Sequence, residues 1–289
     1  MPDTNALVAE LTDYFATRDD VVMAFLFGSQ ARETQTDESD VDVAVYFRPA
    51  EGDHGAPPHS ATLEIEADTE YPGERAVWRR VEEIAGAEVD LVVLNRAPTA
   101  LAASVFFDGI PVVIADRALY WRYFLTVTND AEEFDRFAED FAQVKARSRS
   151  LSPTDRTRLL RSLDFLDEEL ADIGEFQDAG KQEYVRDRSF RRNLERWVEN
   201  LVNATIDIAK TILASKRGRM PRTYRETVEA LGAVDAFDPK VCDELAEFTR
   251  LRNMLAHEYL DLRFSRIRAF IDEAPALYES FMKSARDFV

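Results

Sequence analysis

Apolar residues at Leu7, Val8, Leu11, Tyr14 and Phe15 recur at helical spacing and predict a helix over Asn5 to Thr17. Val21 to Phe27 is then an unbroken apolar run stopped by Gly28, long enough for a buried strand and too short for a stable helix. Val41 to Phe47, apolar but for Asp42, and Glu88 to Leu94, apolar but for Glu88 and Asp90, also read as strands, and Val81 to Ala85 closes a helix between them. The stretch from Arg48 to Arg75 turns to Pro, Gly, His and acidic residues, which predicts a surface excursion with room for an irregular hairpin. Pro111 to Ile114 adds an edge strand. The order helix, strand, turn, strand, helix, strand predicts a small mixed sheet with helices on it.

From about Tyr120 the pattern becomes helical throughout. Ser152-Pro153-Thr154-Asp155 is a helix start, with Ser as N-cap, Pro at the first helical position and Asp three residues after the cap. Leu159, Leu163, Leu166, Leu170 and Ile173 then mark one buried face. Lys181 to Ser215 predicts a second long helix with Trp197, Leu201, Ile208 and Ile212 inward, Asp238-Pro239 starts another to about His257, and Ser265 starts a last one through Phe281. The fold class is α+β: a mixed sheet with helices in residues 1–128, a helical linker in 129–150, and an all-α bundle in 151–289.

Composition narrows what such a chain can do. The formal charge of -19, from 55 acidic against 36 basic residues, argues against a broadly basic nucleic-acid surface, so any RNA contact must be local. The basic residues are nearly all Arg, and the acidic excess gives a surface that self-repels in dilute buffer and is screened by salt. No apolar run approaches the roughly 18 residues of a membrane span. The N-terminal residues carry no secretory pattern, and the single Cys242 allows no internal disulfide, which together predict a cytoplasmic protein. Cys242 lies among apolar residues and is expected in the core. His54 and His59 lack partners of a metal-ligand type, and Tyr120, Trp121 and Tyr123 are expected to pack together.

The chemistry concentrates where the first two strands meet. Phe27-Gly28-Ser29 ends one, Gln30 to Ser39 intervene, and Asp40-Val41-Asp42 opens the next. Gly28 lets the backbone turn sharply and approach a ligand without a Cβ; the amides beyond it and the Ser29 hydroxyl suit phosphate oxygens. Asp40 and Asp42 point to one face because the side-chain period of a strand is two, and paired carboxylates hold hard divalent cations with nucleotide phosphates and water completing the shell. Asp90 opens the third strand, where it can join the cluster as a ligand or as a general base, and three such carboxylates call for bound Mg²⁺. Arg32, one turn after Ser29, can reach a triphosphate.

Gly28-Ser29 followed at this distance by Asp40-Val41-Asp42 resembles the signature of the minimal nucleotidyltransferase (MNT) family, over about Asn5 to Ala115. The resemblance implies a polymerase-β-like fold, ATP and Mg²⁺ as cofactors, and Asp90 as the third carboxylate. Kanamycin-type nucleotidyltransferases share the signature, so it fixes chemistry better than acceptor.

The end of the predicted helix that starts at Asp238-Pro239 carries the run Arg252-Asn253-Met254-Leu255-Ala256-His257-Glu258-Tyr259. Five residues turn roughly 140° past one helical turn, so Arg252 and His257 do not share a face of an ideal helix. They converge through the length of Arg, a helix end near His257, or the pairing of two chains. Arg, four residues, His, one residue, Tyr is similar to the motif of HEPN ribonucleases, and residues from about Pro153 to Val289 resemble the HepT toxins. That resemblance implies a homodimer in which His257 acts as general base or acid on an RNA 2′-hydroxyl, Arg252 stabilises the charged phosphorane and Asn253 orients the phosphate. It also implies that the MNT domain transfers AMP from ATP to Tyr259, silencing the nuclease, with antitoxin and toxin activities fused in one chain. A small-molecule, aminoglycoside-type nucleotidyltransferase whose helical half only shapes the acceptor pocket is the competing expectation.

Overall fold

The structure is a computed structural model and describes residues 4–32, 40–49, 63–67, 69–147, 151–257 and 260–289; of residues 253, 254, 256, 257 and 260–263 it describes the backbone alone. The chain divides into two compact units, 1–134 and 135–289.

In the first unit α1 (Thr4–Phe15) leads into β1 (Val21–Phe27), the short α2 (Gly28–Ala31) and β2 (Val41–Phe47); α3 (Glu74–Ala85) then crosses to β3 (Val89–Val93). A 3₁₀ turn at Leu94–Arg96, α4 (Thr99–Asp108), β4 (Ile110–Ile114) and α5 (Arg117–Arg147) follow. The sheet order is β3-β2-β1-β4, with β1 antiparallel to both β2 and β4 and β2 parallel to β3. The expected mixed sheet is therefore present, with β4 on its edge. No strand occurs among the described residues of the 48–75 excursion; half of it, with His54 and His59, lies outside them.

The largely apolar strands are explained by cover on both faces of the sheet. Leu26, Val43, Val45 and Val93 pack with Leu7, Leu11 and Phe15 of α1 and Val77 and Val81 of α3. Phe25, Ala44 and Tyr46 pack on the other side with Ala102 and Val105 of α4 and Leu119, Tyr123 and Val127 of α5. Tyr123 is fully buried and donates to Leu94 O at 2.7 Å, whereas Trp121 is exposed and meets Tyr120 and Phe124 edge to face.

Beyond the last β2–β3 pair, the buried Asn95 continues the ladder with its side chain. Its Oδ1 accepts from Phe47 N at 2.8 Å, and its Nδ2 donates to Phe47 O at 2.9 Å and to Glu64 Oε2 at 3.2 Å. Asn95→Ala strands these buried partners, and an expected loss of about 2 kcal/mol in urea unfolding follows from the cost of unmade hydrogen bonds. An unchanged midpoint would contradict this.

In the second unit α6 (Pro153–Ala171), α7 (Ile173–Phe176), α8 (Lys181–Arg186), α9 (Arg188–Ser215), α10 (Tyr224–Glu229), α11 (Pro239–His257) and α12 (Leu260–Phe288) follow the end of α5. Ser152 caps α6 as expected, accepting from Asp155 N at 3.1 Å, and buried Asp155 also accepts from Arg147 Nη1 at 2.7 Å. Residues 129–147 are helical, as the last part of α5, and the division between units falls inside that helix. Two expectations change. The single helix expected over Lys181 to Ser215 is two, because the Asp187 carboxylate accepts from Ser189 and Phe190 N–H and restarts the helix as an N-cap. The last helix begins at Leu260 rather than Ser265 and runs past Phe281, since the buried spacing of Phe264, Ile267, Phe270, Ala274, Tyr278, Phe281 and Ala285 extends both ends. Cys242 is buried, and burial pushes its thiol pKa up to about 12. Among the described residues no helix is long and apolar enough to cross a membrane.

Candidate functional site

The sheet register assembles the first site. Phe27 of β1 faces Asp42 of β2, and Asp42 in turn is paired in register with Asp90 of β3. Alternation along β2 and β3 puts Val41, Val43, Val89 and Val93 on the α1/α3 side, so Asp42 and Asp90 both take the opposite face. Asp40, two residues before Asp42, shares that parity. Asp42 is half-buried, while Asp40 and Asp90 are exposed.

Gly28 holds this arrangement together. It adopts φ +71, and a Cβ placed on it would fall 1.8 Å from Asp42 Oδ2 and 2.6 Å from its Cγ. The turn is thus closed down onto the carboxylate, an approach only glycine permits. The Ser29 backbone N–H donates to Asp42, so this amide fixes the carboxylate, and the Ser29 hydroxyl and the amides after it are the candidate phosphate groups. Burial, then the Asp90 charge, raises the Asp42 pKa; the Ser29 amide opposes the rise, Asp40 adds to it and Arg32 counters it. Arg32 is exposed and lies 3.8 Å from Asp108 Oδ2 at the end of α4.

Mutual repulsion among Asp40, Asp42 and Asp90 is the condition that a divalent cation relieves, so their donor chemistry fits one. They do not form a closed protein cage: among the described residues no three His, Cys, Asp or Glu side chains stand close enough to hold a metal ion by themselves. Such a seat suits an ion whose shell is completed by phosphate oxygens and water.

In the helical unit Arg252 is half-buried on α11. Its Nε donates to Asn203 Oδ1 of α9 at 2.9 Å, and its guanidinium carbon sits 5.0 Å from the Tyr224 ring centroid. These contacts aim the cation and hold it against a π face. Sequence spacing does not point to Asn203 or Tyr224: both are distant along the chain, and the only signal for Asn203 is its place on the polar stripe Arg196, Asn200, Asn203, Asp207 of α9. Asn253 lies within α11 and His257 is its last residue, both described by backbone alone. Tyr259 lies outside the described residues.

Comparison with known proteins separates the same two parts. Residues 9–118 match the family described as Polymerase beta, Nucleotidyltransferase, and residues 166–284 match Ribonuclease HepT-like. A protein named tRNA nuclease HepT, from Aphanizomenon flos-aquae (strain 2012/KM1/D3), is 25% identical over 129 residues, covering 44% of this chain and 86% of its own length. A crystal structure of a toxin-antitoxin with AMP-PNP aligns at TM-score 0.35 and 18% identity over 49% of this chain and 97% of its own. A mutant toxin-antitoxin MntA-HpeT aligns at TM-score 0.34 and 15% identity over 50% of this chain and 97% of its own. By the two family matches the chain joins a part similar to the polymerase-β nucleotidyltransferases, in residues 9–118, to a part similar to the HepT-like proteins, in residues 166–284. More particularly, it is a fusion of an MNT domain and a HEPN domain in one polypeptide.

Proposed function

We propose that the N-terminal unit is an ATP- and Mg²⁺-dependent protein adenylyltransferase that modifies Tyr259, and that this modification silences a metal-independent endoribonuclease built on Arg252, Asn253 and His257. The observation that carries the first half is the in-register Asp42–Asp90 pair with Gly28 closed over it and the Ser29 amide bracing Asp42. The family match of residues 166–284 supports the second half.

In the transfer, the Tyr259 phenol oxygen bonds to the α-phosphorus of ATP. The bridging oxygen to the β-phosphorus breaks away, and pyrophosphate leaves with the electron pair. Asp40 and Asp42 hold the cation side of the triphosphate, Ser29 Oγ and Arg32 take phosphate oxygens, and exposed Asp90 takes the phenolic proton or completes the ion's ligands. Mg²⁺, when bound, neutralises charge on the triphosphate and lowers the pKa of the attacking hydroxyl. In the nuclease, His257 removes the proton of a ribose 2′-hydroxyl, whose oxygen bonds to the adjacent phosphorus to form a 2′,3′-cyclic phosphate, and the expelled 5′-oxygen takes that proton from the imidazolium. Arg252 stabilises the added negative charge and Asn253 orients the phosphate. An adenylate on Tyr259, two residues from His257, adds bulk and charge where RNA must sit. Two copies of the chain supply a cleft in which the motif residues converge.

The test is intact mass spectrometry of the protein with Mg²⁺ and ATP. Wild type gains adenylate units, while Asp40→Ala, Asp42→Ala and Tyr259→Phe do not. Retained mass gain in Tyr259→Phe would move the acceptor elsewhere. Adenylate found only on an added aminoglycoside would replace this function with a small-molecule one.

A further inference from the structure

Outside the motif, the helical unit carries a groove between α6 and α9 with a volume of about 370 Å³. Arg158, Arg161 and Phe165 line it from one face of α6, and Arg196, Asn200 and Asn203 from one face of α9. Three arginines converge here on a chain of net charge -19, and the one carboxylate in the lining, Asp207, is paired with Lys210 at 2.8 Å. Only Arg158 is strongly committed, to Asp140 at 2.7 Å; Arg196 reaches Glu199 at 3.5 Å, and Arg161 is exposed with no ion pair among the described residues. Phe165 is 41% exposed in the same groove. An exposed aromatic face beside arginines suits an unstacked base, while the arginines suit the phosphates that flank it. Asn203 lines the groove and also accepts from Arg252 Nε at 2.9 Å, so one side chain links the groove to the motif residue.

We infer that this groove is a track for single-stranded RNA. Arg161 and Arg196 grip backbone phosphates, Phe165 stacks one base, and the strand is delivered past Asn203 to Arg252. The inference rests on the ribonuclease reading above and adds to it the path by which substrate enters. It reconciles an acidic chain with an RNA substrate: attraction is confined to one narrow channel.

Binding of a fluorescein-labelled single-stranded RNA is measured by anisotropy on the full chain carrying His257→Ala, across a salt series. Cleavage is measured on the full chain carrying Tyr259→Phe. Into each, Arg161→Ala with Arg196→Ala, or Phe165→Ala alone, is introduced; all three side chains are exposed, and circular dichroism checks the fold. The paired arginine substitutions are expected to weaken binding about tenfold and to reduce the slope of log K against log salt by about 1.4, the value for two phosphate contacts on a single strand. Phe165→Ala is expected to weaken binding about tenfold with no change of slope. Cleavage should show a raised KM in both. Cleavage at unchanged KM would overturn the track and leave the ribonuclease standing. A parent chain that neither binds nor cleaves RNA would overturn both. Groove substitutions that change only the oligomeric state, read by light scattering, would overturn the track in favour of a second copy of the chain.

Discussion

A Gly28→Ala chain is expected to fold and to transfer nucleotide at a rate lowered by about a hundredfold or more, the scale on which roughly 1 Å of misplacement acts. The new methyl would fall 1.8 Å from Asp42 Oδ2, so Asp42, the turn or both must move. Either movement breaks the Ser29 amide contact and the register with Asp90. Backbone strain alone does not give this result, and a second glycine shows why. Gly86, the C-cap of α3, has φ +61, and an added methyl there would meet nothing within 4 Å, so Gly86→Ala carries the same left-handed cost of about 1 kcal/mol without the collision. Transfer, followed as adenylate gained per minute, should fall for Gly28→Ala and hold for Gly86→Ala, with similar small losses in melting temperature. Equal activity in the two would show that Asp42 does not need the glycine turn.

The contrast between those glycines also marks how far local sequence reaches. Gly28-Ser29 and Asp40-Val41-Asp42 flank one antiparallel hairpin, so their approach follows from a strand, a turn and a period of two. The pairing of Asp42 with Asp90 depends on α3 carrying the chain across to a parallel strand, a long-range register that periodicity does not encode. Asp90 could be nominated from its strand start, but not matched to one of the two earlier aspartates. The same limit appears at Arg252. The motif spacing named the residue, yet its holder Asn203 is 49 residues away on another helix, and the Tyr224 ring comes from a third. Local signals failed where a side chain did a backbone's work. Asp187 restarts a helix inside a continuous helical pattern, and Asn95 extends a strand ladder from a 3₁₀ turn.

Lys210→Met is expected to destabilise the helical unit by about 3 kcal/mol, the cost of removing one partner from a buried ion pair. Lys210 sits on α9 with only 5% of its side chain exposed, 2.8 Å from both Asp140 Oδ2 and Asp207 Oδ1, with its ammonium 5.1 Å from the Phe137 ring centroid. Burial by itself would raise the Asp140 pKa; Lys210 first, and then Arg158, outweigh it and hold the carboxyl below its ordinary value of 3.8. A carboxyl depressed in the fold contributes stability that is present above its unfolded pKa and is lost as pH falls through the folded one. The gap between wild type and Lys210→Met should therefore be full near neutrality and shrink below about pH 4. The chain has three tryptophans, Trp78, Trp121 and Trp197, and with the first two replaced by Phe, Trp197 of α9 reports the helical unit alone. Urea melts of that reporter at several pH values give the gap directly. A gap independent of pH would mean that Lys210 stabilises through its packing on Phe137 and not through Asp140; because Asp140 also holds Arg158, that outcome would leave the wall of the RNA groove intact in the variant, whereas a pH-dependent gap ties the groove's geometry to this buried charge cluster.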